Sequence, residues 1–131
     1  MSQTLDIVTA IIRDEAGRML LVRKRGTTTF MKPGGKRDAG EDDLTTLARE
    51  LGEELGCRLV SAELLGHFSA PAANEAGFTV QSATYLATVA GEISARAEID
   101  EIVWIDPTAP GDLRLAPLLT ERVLPALLES A

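Results

Sequence analysis

Cysteine is almost missing: Cys57 is the single thiol in 131 residues. One thiol excludes an intramolecular disulfide, and with no histidine pattern beside it Cys57 reads as a small core residue. Two further absences concern membranes. The chain shows no positively charged leader running into an apolar stretch, and no apolar run of membrane-spanning length. A cytoplasmic protein without a membrane partner is the expectation. Basic charge is also in deficit. With 13 Lys and Arg against 20 Asp and Glu, the net charge is −7, so a long polyanion would be repelled and a nucleic acid polymer is not an expected partner. Small phosphorylated molecules stay open, because a divalent cation can bridge two negative partners. Internal repeats and low-complexity segments are absent as well.

What is present is ordinary for a packed protein: 45% hydrophobic and 25% charged residues can build a real core. The length suits a single domain over residues 1–131. Thr4 to Arg13 is β-branched, Asp14-Glu15-Ala16-Gly17 reads as a turn, and Arg18 to Arg25 resumes an apolar run; together these predict a β-hairpin. Pro33-Gly34-Gly35 punctuates the chain next. From Asp42 to Leu55 the period changes, with Leu44, Leu47, Leu51 and Leu55 on one face of an amphipathic helix that Gly56 should stop. Arg58 to Ser69 and Phe78 to Ala90 read as strands joined by an Ala/Pro/Asn/Gly-rich loop. A short strand from Ile102 to Ile105 follows, and then a second helical pattern from Leu115 to Leu128, where Pro125 should kink or shorten the last turn. Strands, helix, strands, helix favour an α/β fold with a mixed sheet covered by helices.

The chemistry concentrates on the first helix. Glu50, Glu53 and Glu54 stand at i, i+3 and i+4, so they project from one side, roughly 130° around from the leucine stripe. Like charges at these spacings cost a helix about 0.2–0.5 kcal/mol per pair. A hard dication is the natural compensator, since clustered carboxylate oxygens are what Mg²⁺ and Mn²⁺ prefer. Glu41 adds an acid at the helix start, where it also suits the helix dipole. Arg49, four residues before Glu53, is the cation embedded among them, and its planar guanidinium can orient a carboxylate.

The full spacing goes further: Gly35, five residues, Glu41, seven residues, Arg49-Glu50-Leu51, one residue, Glu53-Glu54, one residue, Gly56, Cys57. It resembles the Nudix box throughout, departing only at Cys57, where the family has Ile, Leu or Val. Lys32-Pro33-Gly34-Gly35 is similar to the strand end that leads into the box, and Glu98 to Ile105 to the acidic loop and Trp-containing strand after it. The resemblance implies a Nudix α/β/α sandwich, with a mixed β-sheet between helices. It also implies Mg²⁺ (with Mn²⁺ as substitute) held by Glu50, Glu53, Glu54 and the Gly34 carbonyl. The implied activity is hydrolysis of the diphosphate linkage of a small nucleotide, foremost a (d)NTP cut to NMP and pyrophosphate. An ADP-ribose or nucleotide-sugar pyrophosphatase is the alternative, and a silent nucleotide-sensing domain, which would have lost box acids, ranks third. A homodimer is implied by the family habit alone.

Catalytic roles fall on Glu53, Glu54, Arg49 and Glu98, with Glu98 ahead of Glu54 as general base and Glu101 its rival. Candidates for substrate contact are Gly35, Lys32, and the pair Arg23 and Arg25, which share a strand face while Lys24 points to the other. The alternative for that basic run is charge protecting an edge strand. Members of the MutT type often carry an aromatic or apolar residue where Lys32 stands, so their base-recognition scheme does not transfer directly. His67 reads as a strand residue, Trp104 and Phe30 offer rings for stacking, with Trp104 in an apolar strand that favours a core place, and Pro71 lies in the loop beyond the box.

Overall fold

The computed structural model describes residues 3–129, so residues 1–2 and 130–131 of the expected domain lie outside the described residues. Six strands, β1 (Gln3–Ile12), β2 (Met19–Lys24), β3 (Gly34–Lys36), β4 (Arg58–Pro71), β5 (Phe78–Ala90) and β6 (Ile99–Ile105), are joined by helix α1 (Asp43–Leu55). The chain closes with a π-helical turn, Leu118–Val123, that runs into α2 (Leu124–Glu129).

The sequence-based hairpin does not form. The Asp14–Gly17 turn is real: the Gly17 N–H donates to the Asp14 carbonyl at 3.0 Å. Beyond one bridge between Arg13 and Met19, however, the two strands part. β1 enters a four-stranded sheet of order β3-β1-β5-β4, parallel to β5 and antiparallel to β3, while β2 pairs antiparallel with β6 in a separate two-stranded sheet. Burial explains the separation. Val8 to Ile12 and Met19 to Val22 are buried without interruption, the pattern of strands covered on both faces rather than of a half-exposed hairpin.

Alternation along β1 then sorts the core into two layers. Val8, Ala10 and Ile12 pack with Leu47, Leu51 and Leu55 of α1, whereas Ile11, with Leu5 and Ile7 beside it, packs with Leu118, Leu119, Val123, Leu124 and Leu127. Helices therefore cover opposite faces of a mixed sheet, the expected α/β/α layering.

Helix α1 starts and stops on its caps. Asp42 is the N-cap, its side chain accepting from the Thr45 N–H at 2.8 Å, and Gly56 closes the helix in the left-handed region at φ 72°. Three of the four stripe leucines are fully buried; Leu44, in the first turn, is 45% exposed. Burial of each of the other three stabilises the layer by about 1.5–3 kcal/mol. At the chain's end the Leu124 N–H donates to the Leu119 carbonyl. This five-residue step directly precedes Pro125, which has no N–H to continue the ordinary ladder. Among the described residues no helix is long and apolar enough to cross a membrane.

Candidate active site

A cavity of about 380 Å³ opens between the two sheets, with Glu50 and Glu54 of α1, Glu98, Lys24, Gly34 and Gly35 at one end and Leu5, Ile7, Val80, Leu118 and Leu119 at the other. Thr9 and Lys32 also line it. One end is charged and the other aliphatic, the combination a ligand with a polar head and a flat apolar body requires.

Two glycines bring the backbone up to the acids. Gly34 pairs with Thr9 across β1 and β3, at φ 142°, and a Cβ there would stand 2.1 Å from the Val8 carbonyl oxygen. Gly35 faces the Glu50 carboxylate so closely that a Cβ would meet it at 2.5 Å. The bare backbone is thus the floor against which the acids sit.

Glu54 is 3% exposed and accepts a hydrogen bond from the Gly34 N–H at 3.0 Å. Burial pushes its pKa up to about 8; the Gly34 hydrogen bond works against this, and the charges of Glu50 and Glu98 add to it. Arg49 organises the remaining acids. Its Nε and Nη2 donate to Glu41 at 2.8 and 2.9 Å, and its Nη1 donates to Glu50 at 2.8 Å and to Glu53 at 3.3 Å. Among the described residues no group of three or more His, Cys, Asp or Glu side chains is gathered as a metal cluster: Glu50 and Glu53 turn to Arg49, and Glu53 lies at the rim rather than in the cavity wall. The donor set nevertheless fits a hard cation. A buried carboxyl that desolvation and two neighbouring acids hold toward its protonated form is relieved by a dication at its oxygens.

The other sequence candidates separate clearly. Arg23 donates to Glu101 and Asp100, each at 3.1 Å, and to the Thr27 carbonyl, and Arg25 donates to the Ala97 carbonyl at 3.0 Å; neither lines the cavity. Lys24 does, 3.5 Å from Glu98. Val22 and Lys24, two residues apart, both line the cavity, so alternation holds and it is the Lys24 face of β2 that looks inward. Glu98 and Glu101 are told apart in the same way, one in the cavity with Lys24 and the other bound to Arg23. The loop before Glu98 docks on the C-terminus of α1, where the Ser94 and Arg96 N–H groups donate to the carbonyls of Leu55 and Glu54 at 3.0 and 2.9 Å. Trp104 and Phe30 pack in the two core layers, and His67 sits exposed in β4. Buried Cys57 is a core residue.

Lys32 is buried, and its Nζ donates to the Thr9 Oγ1 at 2.7 Å. Burial lowers its pKa to about 7. Thr9 in turn lies 2.7 Å from the Ser82 hydroxyl and 3.3 Å from that of Thr84. Thr9 and Lys24 were not among the sequence candidates. A hydroxyl inside the apolar run of β1 was the available sign of the first; for the second, it was the step of two from Val22.

The family model named NUDIX domain matches residues 4–127. Over 68 residues, 49% of this chain and 50% of the relative, the sequence is 38% identical to the 8-oxo-dGTP diphosphatase of Haemophilus influenzae, so that match spans half the relative's length. A MutT-like protein of Streptomyces ambofaciens is 28% identical over 92% of this chain and 75% of its own. In three dimensions the chain is similar to the E. coli ORF135 protein, with a TM-score of 0.78 at 25% identity, covering 98% of this chain and 91% of the other.

Proposed function

Because the chain belongs to the NUDIX domain family, we propose that it is a Mg²⁺-dependent pyrophosphohydrolase that cuts a nucleoside triphosphate to the monophosphate and pyrophosphate. The observation that supports this reading best is the cavity's division, with Glu50, Glu54 and Glu98 beside a bare glycine backbone at one end and an aliphatic slot at the other. The 8-oxo-dGTP diphosphatase among the relatives points to the same class of substrate.

Glu50, Glu54, the rim acid Glu53 and the Gly34 carbonyl are the groups that would hold the cation. Mg²⁺ bound there would neutralise diphosphate oxygens and make the attacking water more acidic. The chain's own groups do the rest. Arg49 holds Glu50 and Glu53 in place through its fork. Glu98 is the general base: it takes a proton as the water oxygen bonds to a phosphorus flanking the α–β bridge, the bridging P–O bond breaks, and pyrophosphate and monophosphate separate. Lys24, next to Glu98, offers its ammonium to the phosphates. The substrate is a free nucleotide rather than a polymer. The homodimer implied by family habit is checked by light scattering.

The test is a Mg²⁺-supported turnover screen over triphosphates, nucleotide sugars and dinucleotides. Pyrophosphate release from triphosphates, lost by about 10²–10⁴-fold in Glu98→Gln, is expected. Two monophosphates from a nucleotide sugar or dinucleotide, with triphosphates untouched, would move the assignment to that group. Tight binding without turnover of anything would mark a sensing domain.

A further inference from the structure

Lys32 is the buried cation beside the aliphatic part of the cavity; Asn74 and Glu75, which also line it there, are exposed. Thr9 pairs with Thr84, Ile7 with Ser82 and Leu5 with Val80 across the parallel β1–β5 ladder, so one sheet face runs from apolar rungs to a hydroxyl cluster. Strand alternation turns this face away from the leucine stripe of α1, which packs on Val8, Ala10 and Ile12. Lys32 is seated on the cluster's outer hydroxyl. Among the described residues Thr9 is its only hydrogen-bond partner, and no carboxylate pairs with it. In its protonated form Lys32 has three donors and no acceptor. Thr9 Oγ1 receives one of them, so its own hydrogen goes to Ser82 or Thr84, both within reach. Lys32 therefore faces the cavity as a donor, with N–H groups left to give. A buried donor left unmet is costly, and a ligand that supplies an acceptor relieves that cost while one that brings a second donor does not.

We infer that Lys32, seated on the Thr9, Ser82 and Thr84 hydroxyls, is the base-reading group of this cavity, selecting nucleobases that turn a ring carbonyl oxygen toward it over those that present an amino group. Lys24, beside Glu98, and Lys36 are the cations at the other end that meet phosphates, and the walls around Lys32, Ile7, Val80, Leu118 and Leu119, suit a flat ring. The assignment rests on the nucleotide reading above and narrows it to oxo-bearing bases.

Two pairs of nucleotides that differ at one edge test it: dITP against dATP, and dUTP against dCTP. Each is measured by pyrophosphate release as kcat/KM, and by equilibrium binding with Mg²⁺ to the Glu53→Gln variant, so that the outcome does not hang on turnover. The protein should favour the oxo member of each pair by about tenfold or more. Lys32→Met, which removes a buried charge, should bring both ratios to within about twofold by weakening the oxo members. Lys32→Gln should flatten them too, since a carboxamide both donates and accepts; it serves as the second variant if Lys32→Met does not fold. Equal weakening of all four nucleotides in the Lys32 variants, or equal binding of the pairs by the parent, would overturn the inference. Discrimination in binding without pyrophosphate release would instead sink the hydrolase reading and leave Lys32 as the base reader.

Discussion

Arg49 and Glu41, eight residues apart, meet side-on: Nε donates to Oε2 at 2.8 Å and Nη2 to Oε1 at 2.9 Å. The helix-start acid thereby fixes the plane of a guanidinium whose third nitrogen is left for Glu50 and Glu53. A lysine keeps the charge but not the fork, so it cannot hold Glu41 and Glu50 at once. Arg49→Lys should lower kcat by about 10–100-fold with little change in KM, and a Mg²⁺ titration by calorimetry should show weaker uptake. A parent-like kcat would remove Arg49 from the positioning role.

The same pair sets an acid limit on stability. Hydrogen bonds from Arg49, and then from the Asp38 N–H and Thr46, hold the Glu41 pKa down at about 2, against an ordinary 4.5. A depressed carboxylate contributes stability that is fully present above its unfolded pKa and is lost as pH falls through the folded one. Urea midpoints for the parent and Glu41→Gln should differ at pH 7, where the carboxylate is charged in both states. They should converge as pH drops from about 4.5 toward 2. A gap that stays constant down to pH 2 would mean that Glu41's charge contributes nothing.

Adjacent glycines should behave differently when replaced by alanine. At Gly35 the new methyl meets only the end of the Glu50 side chain, which can swing aside. Gly35→Ala should therefore keep most of the stability while displacing Glu50 and weakening Mg²⁺ binding. At Gly34 the methyl would meet β1 backbone, at a φ that L-residues rarely adopt. Gly34→Ala should lose about 1–3 kcal/mol or more by thermal or urea unfolding. Equal stability losses in the two variants would contradict this division.

How much of this was legible in the sequence differs from residue to residue. Asp42 and Gly56 marked the ends of α1 because caps act locally, and the box spacing picked out Glu50 and Glu54, with Gly34 added by the family resemblance, before any fold was known. β1 and β2 were misjoined because a run buried on both faces has no alternation to report, so a real turn at Asp14–Gly17 stood in for a pairing that tertiary packing denies. Lys24 was passed over for Arg23 and Arg25 for a related reason: a period of two sorts the basic run into two faces but does not say which one turns to the cavity. The hydroxyls of Ser82 and Thr84 meet Thr9 more than 70 residues away. That contact depends on the parallel β1–β5 pairing, which no local pattern encodes.

The leucine stripe gives the clearest measure of where periodicity stops and packing begins. Leu44 and Leu51 occupy the same stripe by spacing, yet Leu44 is 45% exposed while Leu51 is fully buried in the core cluster that includes Val8, Ala10 and Leu20. Truncating Leu51 to alanine removes apolar contact and leaves a void that the sheet cannot close, a loss of about 2–5 kcal/mol. Leu44→Ala gives up only surface contact and should fall within about 0.5 kcal/mol of the parent. Chemical denaturation of both variants checks the contrast. Because Leu51 sits directly after Glu50, Leu51→Ala should also loosen the acid end of the cavity and weaken Mg²⁺ uptake, whereas Leu44→Ala should leave it unchanged. Equal losses would mean that the first turn of α1 is seated on the sheet after all.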